Sequence, residues 1–198
     1  YLRQKQPLGL GHAVWCARHV VGDEPFAVLL PDDLMDAEPG AISQMKAAFE
    51  ETGAGQVAVE PVDPAAVDAY GVVDAGPKTG PTHPVSGLVE KPDPAVAPSN
   101  LAVIGRYILS PNVFEPLGRA KVGAGGEIQL TDALQALITE YGEAIHAYPF
   151  EGVRFDCGSK AGYLKAQVEF GLRHSDFGDE LGDYLRQRLE RIDADAPS

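Results

Sequence analysis

The chain has 198 residues, of which 44% are hydrophobic and 23% are charged, which is ordinary for a globular protein. Its formal net charge of −13 argues against nucleic-acid binding, because phosphate backbones are held by Lys and Arg. No apolar run approaches the roughly 20 residues that span a bilayer, so we expect no association with a membrane. The two cysteines, Cys16 and Cys157, fit no zinc-binding pattern and are typical of free thiols in the cytoplasm, where we expect the protein.

Apolar segments of two kinds alternate along the first 60 residues. Helical spacing covers 8–21 and 41–52, and the second of these helices should end at Gly53. Continuous or alternating apolar runs, typical of strands, cover 26–30 and 56–60. This strand–helix–strand order predicts an α/β fold with a parallel sheet.

The pattern changes at Pro61. Residues 61–98 are rich in Pro, Gly and Asp, and an excursion of this kind often carries a ligand site above a sheet. The remaining predicted elements are, in chain order, β-like pieces at 70–74 and 85–90, a strand at 101–109, a helix from Ser110-Pro111, a helix capped by Thr131 or Asp132 and ending at 141, a strand at 144–150, and helices at 160–174 and 177–192.

Two acidic residues from distant parts of the chain are candidates for a metal site. Asp32 follows the buried strand at 26–30, and ligands of open α/β sheets bind outside the carboxyl ends of strands. Asp156 precedes a glycine just upstream of a helix. Two such carboxylates could hold one Mg²⁺ and leave its other positions to water and phosphate. The alternative is that Asp32 belongs to a turn and Asp156 to the start of a helix.

Two further patterns could bind a sugar nucleotide. Glu90 can accept hydrogen bonds from sugar hydroxyls and Lys91 can meet a phosphate, although an exposed salt-bridging pair is the simpler interpretation. Gly9 and Gly11 precede a helix, where glycine permits close approach of the backbone and leaves helix N–H groups free. A Gly-x-Gly pattern alone indicates no more than the start of a helix.

Taken in order, several motifs resemble those of bacterial UTP–glucose-1-phosphate uridylyltransferases. They are Arg3-Gln4 followed by GLGHAV, LLPDD, AYGVV, LVEKP, PSNLAVIGRYIL, GAGGEIQLTDAL and FDCGSKAGYLKA. The resemblance extends from Leu2 to about His174. It implies a nucleotide-diphospho-sugar transferase fold, that is, a Rossmann-like mixed, mainly parallel sheet flanked by helices with a β-rich sugar-binding excursion.

The resemblance also implies the reaction and its residues. UTP and glucose 1-phosphate would give UDP-glucose and pyrophosphate, with Mg²⁺ as cofactor and a homo-oligomer, a dimer or tetramer, as the assembly. The implied metal ligands are Asp32 and Asp156, which with Lys91 form the catalytic set. The implied substrate-binding residues are Gln4 and Gly9 for the uracil, Gly71 and Glu90 for glucose, Lys91 for the sugar phosphate, and Asn100 for the shape of the sugar pocket.

One motif of the family is not found in the 198 residues. The family carries a glycine-rich loop of the type GxGTRxxPxTK, which cradles the triphosphate. We therefore expect 1–174 to be a partial nucleotidyltransferase domain without its N-terminal strand and this loop, followed by a C-terminal helix and loose tail at 175–198. The alternatives are a thymidylyl- or adenylyltransferase acting on another sugar 1-phosphate, or a non-catalytic assembly module.

Overall fold

A six-stranded sheet organises the first of two units into which the chain divides. The computed structural model describes residues 1–123 and 126–194, and the first unit comprises Tyr1–Pro31 and Asp36–Gly152. The strands among the described residues are, in chain order, β1 (Phe26–Leu29), β2 (Asp33–Asp36), β3 (Gly55–Pro61), β4 (Gly71–Ala75), β5 (His83–Glu90), β6 (Leu101–Leu109), β7 (Ile145–Pro149) and β8 (Val153–Asp156). The large sheet has the order β1-β6-β3-β7-β5-β4, and β2 and β8 form a separate pair.

The α-helices of the described chain agree with most of the predicted ones. They are α1 (Leu10–Cys16), α2 (Arg18–Val21), α3 (Ala41–Thr52), α4 (Phe114–Arg119), α5 (Leu130–Tyr141), α6 (Lys160–Leu172) and α7 (Gly178–Ala194), with short 3₁₀ turns at Pro64–Ala69 and Pro111–Val113. Gly53 ends α3 in a left-handed conformation, with its N–H bonded to Phe49 O, as predicted. None of these helices in the described chain is both long and apolar enough to cross a membrane.

The sheet is mixed, and the α/β class is confirmed. In one respect it differs from the expectation of a mainly parallel sheet. Strand β6 inserts antiparallel between β1 and β3, β5 is antiparallel to both β4 and β7, and of the pairs described only β3–β7 is parallel. The strand–helix–strand order of the first 60 residues predicted a parallel sheet, but β6, which follows the β-rich excursion, lies antiparallel between β1 and β3.

The core of the first unit lies between the sheet and its helices. Val57 and Val59 of β3 pack in one cluster with Leu134 and Leu137 of α5, and all four are at most 1% exposed. Strand β6 is buried along almost its whole length, which agrees with the long apolar run that predicted it. This packed frame carries the N-terminal segment and the loops that follow β4 and β5.

The second unit comprises Asp32–Met35 and the chain from Val153 onward. It contains the β2–β8 pair together with helices α6 and α7, which pack against each other where Leu181 approaches Gly171. Phe155 of β8 meets Phe170 of α6 edge to face, with ring centroids 5.9 Å apart. The expected division at residue 174 stays a prediction, and residues 195–198 of the expected loose tail lie outside the described residues.

Burial of His146 makes the stability of the first unit depend on pH. Its Nδ1 lies 2.9 Å from the hydroxyl of the fully buried Thr82, and burial lowers the pKa of His146. An unfolded histidine titrates near pH 6.5. Below that pH the unfolded chain takes up a proton that the folded chain resists, so the free energy of unfolding falls as the pH falls.

We therefore predict that His146→Gln flattens the loss of stability between about pH 7 and pH 5. The measurement is denaturant unfolding at a series of pH values. The exposed His19, changed to Gln, serves as the matched control and should leave the slope of stability against pH as in the unaltered chain. An unchanged slope in His146→Gln would show that this residue does not carry the effect.

Candidate functional site

The two acidic residues singled out from the sequence face the same turn of the second unit. Strand β8 ends at Asp156, whose Oδ1 accepts the Gly158 N–H at 3.0 Å. A Cβ atom placed on Gly158 would lie 3.1 Å from Asp156 Oδ1 and 3.3 Å from Asp32 Oδ2. The two carboxylate oxygens are therefore no further apart than the sum of these two distances. Residues separated by more than 120 positions thus converge at Gly158.

Two interactions hold this arrangement. Arg154 of β8 forms an ion pair with Asp33, and both side chains are at most 10% exposed. Just outside the two strands, the backbone adds a second connection: the Cys157 N–H donates to Asp32 O at 2.7 Å. Asp32 itself is exposed, so the adjacent acids have different roles: Asp33 is buried against a cation and Asp32 is left for solvent or a ligand.

The helix that follows has its own cap, which leaves the Asp156 side chain out of that role. Ser159 Oγ accepts the Gly162 N–H at 3.0 Å at the start of α6 and donates to Asp156 O. Among the described hydrogen bonds, Asp156 Oδ1 accepts one, from the N–H of Gly158 in the turn between β8 and α6. Ser159 is therefore the N-cap of α6, whereas the Asp156 carboxylate bonds the turn between β8 and α6.

The donor set at this turn fits a hard divalent cation. Within residues 1–123 and 126–194, no group of three or more His, Cys, Asp and Glu side chains could enclose a metal ion. Two carboxylates at one turn are nevertheless enough for Mg²⁺. This ion usually binds one or two protein carboxylates and completes its coordination shell with water and phosphate oxygens.

A second cluster in the first unit surrounds Gly71. In the β4–β5 register Gly71 pairs with Glu90, and Glu90 Oε2 accepts the Thr131 hydroxyl at 2.7 Å. A Cβ atom on Gly71 would lie 2.9 Å from Thr131 Oγ1 and 3.2 Å from Glu90 Oε2. Glycine is therefore required here, because any larger residue would push this pair apart.

Thr131 has a different role from the one predicted. Helix α5 begins at Leu130, and no side chain caps it. The Thr131 hydroxyl is used by Glu90, which explains why a threonine in the first turn is 9% exposed. Sequence reasoning missed this contact because Thr131 lies 41 positions from its partner. Its place in the motif EIQLTD was the only signal.

Lys91 and Asn100 differ in how free their side chains are. Lys91 has a left-handed backbone with φ of 47°, and its side chain is 55% exposed. Its Nζ lies 3.9 Å from Glu90 Oε1, too far for a hydrogen bond, so the simple salt-bridge interpretation accounts for little of its position. Asn100 donates its amide to Val62 O at 3.0 Å and thereby joins the ends of β3 and β6.

The N-terminal segment brings Gln4 and Gly9 together. Gln4 Nε2 donates to Gly9 O at 3.1 Å and lies 2.8 Å from His12 Nδ1. Gly9 has φ of 98°, and a Cβ atom there would lie 2.7 Å from Glu127 Cβ. The backbone of Ile128 bonds to this segment through Leu8 O, which accepts at 2.7 Å. In the GAGGEIQLTDAL motif, Ala124 and Gly125 lie outside the described residues.

Comparison with known proteins places the chain in a family. The family model described as nucleotidyl transferase matches residues 1–171. The chain belongs to the nucleotidyl transferase family. It is 46% identical over 187 residues to UTP–glucose-1-phosphate uridylyltransferase 2 of Staphylococcus saprophyticus, covering 94% of this chain and 64% of that protein. It is 44% identical over 191 residues to the UTP–glucose-1-phosphate uridylyltransferase of Bacillus subtilis, covering 96% and 65%.

Solved structures of nucleotidyl transferases share the fold. A UDP-glucose pyrophosphorylase complexed with UDP-glucose matches with a TM-score of 0.83 and 42% identity, over 88% of this chain and 66% of that one. A UTP-bound enzyme of the same type from Acinetobacter baumannii matches with a TM-score of 0.81 and 44% identity, over 93% and 64%. The resemblance found in the motifs is thus confirmed. The chain spans about 64–65% of the length of these curated relatives.

We predict that Gly71→Ala displaces the Glu90–Thr131 pair. A methyl group 2.9 Å from a hydroxyl oxygen forces a shift, and overpacking of this kind typically costs about 1 to 3 kcal/mol. Thermal unfolding measures the loss. Gly76→Ala, beyond the end of the same strand, is the matched control, because its nearest new contact would be 3.5 Å away. Equal stability of the two variants would contradict the crowding at Gly71.

Loss of the Arg154 guanidinium should destabilise the second unit. Arg154→Met removes the cation from a buried carboxylate, which typically costs about 3 to 5 kcal/mol, whereas replacing both partners by apolar residues is often nearly neutral. We therefore expect Arg154→Met combined with Asp33→Leu to recover most of the loss in denaturant unfolding. A double variant no more stable than Arg154→Met would argue against the pair as the tie.

Proposed function

We propose that the protein transfers a uridylyl group from UTP to glucose 1-phosphate, giving UDP-glucose and pyrophosphate. The observation that supports this proposal is the convergence of Asp32 and Asp156 at Gly158. Two such carboxylates can hold a divalent cation, and this reaction requires one because it brings together two anionic phosphates. The curated relatives at 42–46% identity are named for the same reaction. The related solved structures that contain UDP-glucose and UTP support the same substrates.

Asp32 and Asp156 would hold the cation. Members of this family generally use a divalent metal ion, and carboxylate oxygens at a solvent-accessible turn favour Mg²⁺. When bound, such a cation neutralises phosphate charge and lowers the barrier to in-line displacement at phosphorus. The contribution of the chain is to keep both carboxylates fixed, through Arg154–Asp33 and the bond from Cys157 to Asp32.

The substrate-binding residues have separate tasks. Glu90, aligned by Thr131, offers a carboxylate oxygen to a glucose hydroxyl, and Gly71 leaves room for the sugar next to them. Lys91 supplies a flexible positive charge for the sugar phosphate. Gln4 and Gly9 meet the uracil base. Asn100 contributes to the shape of the sugar pocket by fixing the strand ends.

Positioning and charge neutralisation do most of the catalytic work. An oxygen of the sugar phosphate attacks the α-phosphorus of UTP, the bond to the bridging oxygen of the β-phosphate breaks, and pyrophosphate leaves with the electron pair. Lys91 reduces the repulsion between the attacking and attacked groups. The protein forms no covalent intermediate in this scheme.

Self-association into a dimer or tetramer stays a prediction. The apolar side chains of α7 are only partly covered: Leu181 packs toward α6, whereas Tyr184 and Leu189 are 61% and 59% exposed. These side chains are compatible with a second copy, and sedimentation of the purified protein measures the subunit number.

Replacing one carboxylate tests the proposed reaction. In the natural protein that contains this sequence, we predict that Asp156→Asn lowers uridylyl transfer by at least about a hundredfold, because a metal ligand that offsets charge in the transition state is worth several kcal/mol. Release of pyrophosphate from UTP and glucose 1-phosphate is the readout. Asp179→Asn, on the exposed first turn of α7, is the control and should leave the rate unchanged.

The pyrophosphate assay, together with calorimetric binding, separates the alternative functions. A near-normal rate in Asp156→Asn would eliminate the metal role of this residue. Faster turnover of dTTP or ATP than of UTP would favour a thymidylyl- or adenylyltransferase. Failure of the unaltered protein to bind UTP or UDP-glucose in calorimetry with Mg²⁺ would favour a non-catalytic module.

A further inference from the structure

The side-chain amide of Gln4 has a defined orientation. Its partner Gly9 O is a carbonyl oxygen, which only accepts hydrogen bonds, so the group 3.1 Å from it must be the NH₂. The same nitrogen lies 2.8 Å from His12 Nδ1. The two hydrogens of one NH₂ group therefore serve two acceptors, Gly9 O and His12 Nδ1.

This assignment also specifies the state of the His12 ring. Nδ1 can accept from Gln4 only if the imidazole is neutral and carries its proton on Nε2. Cys16 Sγ, one turn further along α1, lies 3.8 Å from Nε2 and 4.0 Å from Nδ1, so the sulfur contacts the ring without lying in line with either nitrogen.

Packing holds His12 in place. Its ring stacks on Trp15 with a centroid separation of 6.2 Å, and the Arg18 guanidinium covers the same indole at 3.5 Å. The start of α1 is pinned in turn, since the Gly11 N–H donates to Ile128 O at 2.9 Å. The acceptor that meets Gln4 is therefore part of a packed helix.

With both hydrogens of its NH₂ engaged, Gln4 has one group left for a ligand. None of the hydrogen bonds described for residues 1–123 and 126–194 uses Gln4 Oε1. This oxygen can only accept. Uracil presents an imino N–H at N3, which matches an acceptor, whereas cytosine presents a lone pair at N3, which repels one. A mismatched polar group in a binding site is rejected far more strongly than a missing methyl group.

We infer that His12 is a positioning residue that orients the Gln4 amide so that its oxygen selects uracil over cytosine. The inference rests on the proposed function, in which Gln4 meets the base of UTP. In this arrangement His12 acts through Gln4 and not on the nucleotide. His12 affects the choice of base. Without His12 Nδ1, one hydrogen of the Gln4 amide loses its acceptor, and the amide is freer to rotate.

Two variants of similar size separate this role from a structural one. Asn places a polar atom where Nδ1 of histidine lies, and Gln reaches instead toward the Nε2 position. We expect His12→Asn to keep most of the preference for UTP over CTP. In His12→Gln and His12→Ala, the ratio of UTP to CTP affinity should fall about tenfold, which is equivalent to the loss of one hydrogen bond. Gln4→Ala should abolish the preference.

The measurement is calorimetric binding of UTP and of CTP with Mg²⁺ to the natural protein containing this sequence, with thermal unfolding to confirm that each variant is folded. His19→Ala, on exposed α2, is the control and should keep the preference. If His12→Gln and His12→Ala keep the ratio of UTP to CTP affinity within twofold while Gln4→Ala loses it, His12 has no positioning role and the proposed function stands. If the unaltered protein binds neither nucleotide, the proposed function fails and this inference fails with it.

Discussion

The geometry of the acidic site depends on one buried ion pair. Arg154 and Asp33 join two strands that are 121 residues apart in the chain, and the Cys157–Asp32 hydrogen bond continues the same connection. Breaking such a pair leaves a charge in a poorly solvated place, so the two strands have a strong reason to stay together. This connection fixes two nearby acids: the exposed Asp32, just before β2, and the half-buried Asp156, at the end of β8. The Arg154–Asp33 ion pair thus positions the two carboxylates that we propose to bind the cation.

The residues of the first unit that we propose to bind substrate are also held by neighbours, through different interactions. Strand pairing places Gly71 opposite Glu90, and a hydrogen bond from helix α5 aligns the carboxylate. Gln4 is aligned by a carbonyl and by His12. In each case a group proposed to touch substrate is held by a neighbour that would not touch it. Such support determines how precisely a binding group is aimed, and it is why Thr131, Arg154 and His12 belong in any account of this protein.

Local patterns predicted the elements well and the contacts between distant elements poorly. The strand at 101–109, the helix at 41–52 and its end at Gly53 follow from apolar spacing and from the left-handed preference of glycine. The place of β6 between β1 and β3 does not, because strand order is decided by long-range pairing. The motifs identified Asp32, Asp156 and Glu90, but nothing local indicates that Thr131 gives its hydroxyl to Glu90 and does not cap its own helix. The site assignments from the resemblance stay predictions, and the contacts reported for these residues are the reasons to test them.

We propose that Asp32 and Asp156 together bind a divalent cation. Mn²⁺ is the suitable probe, because it replaces Mg²⁺ at oxygen sites and can be located by its anomalous scattering. We predict that a crystal of the natural protein grown with Mn²⁺ and UDP-glucose shows one ion with an oxygen of each carboxylate at about 2.0 to 2.3 Å, and with its other positions filled by phosphate and water. An ion bound to phosphate alone, or carboxylates turned away from it, would contradict the account.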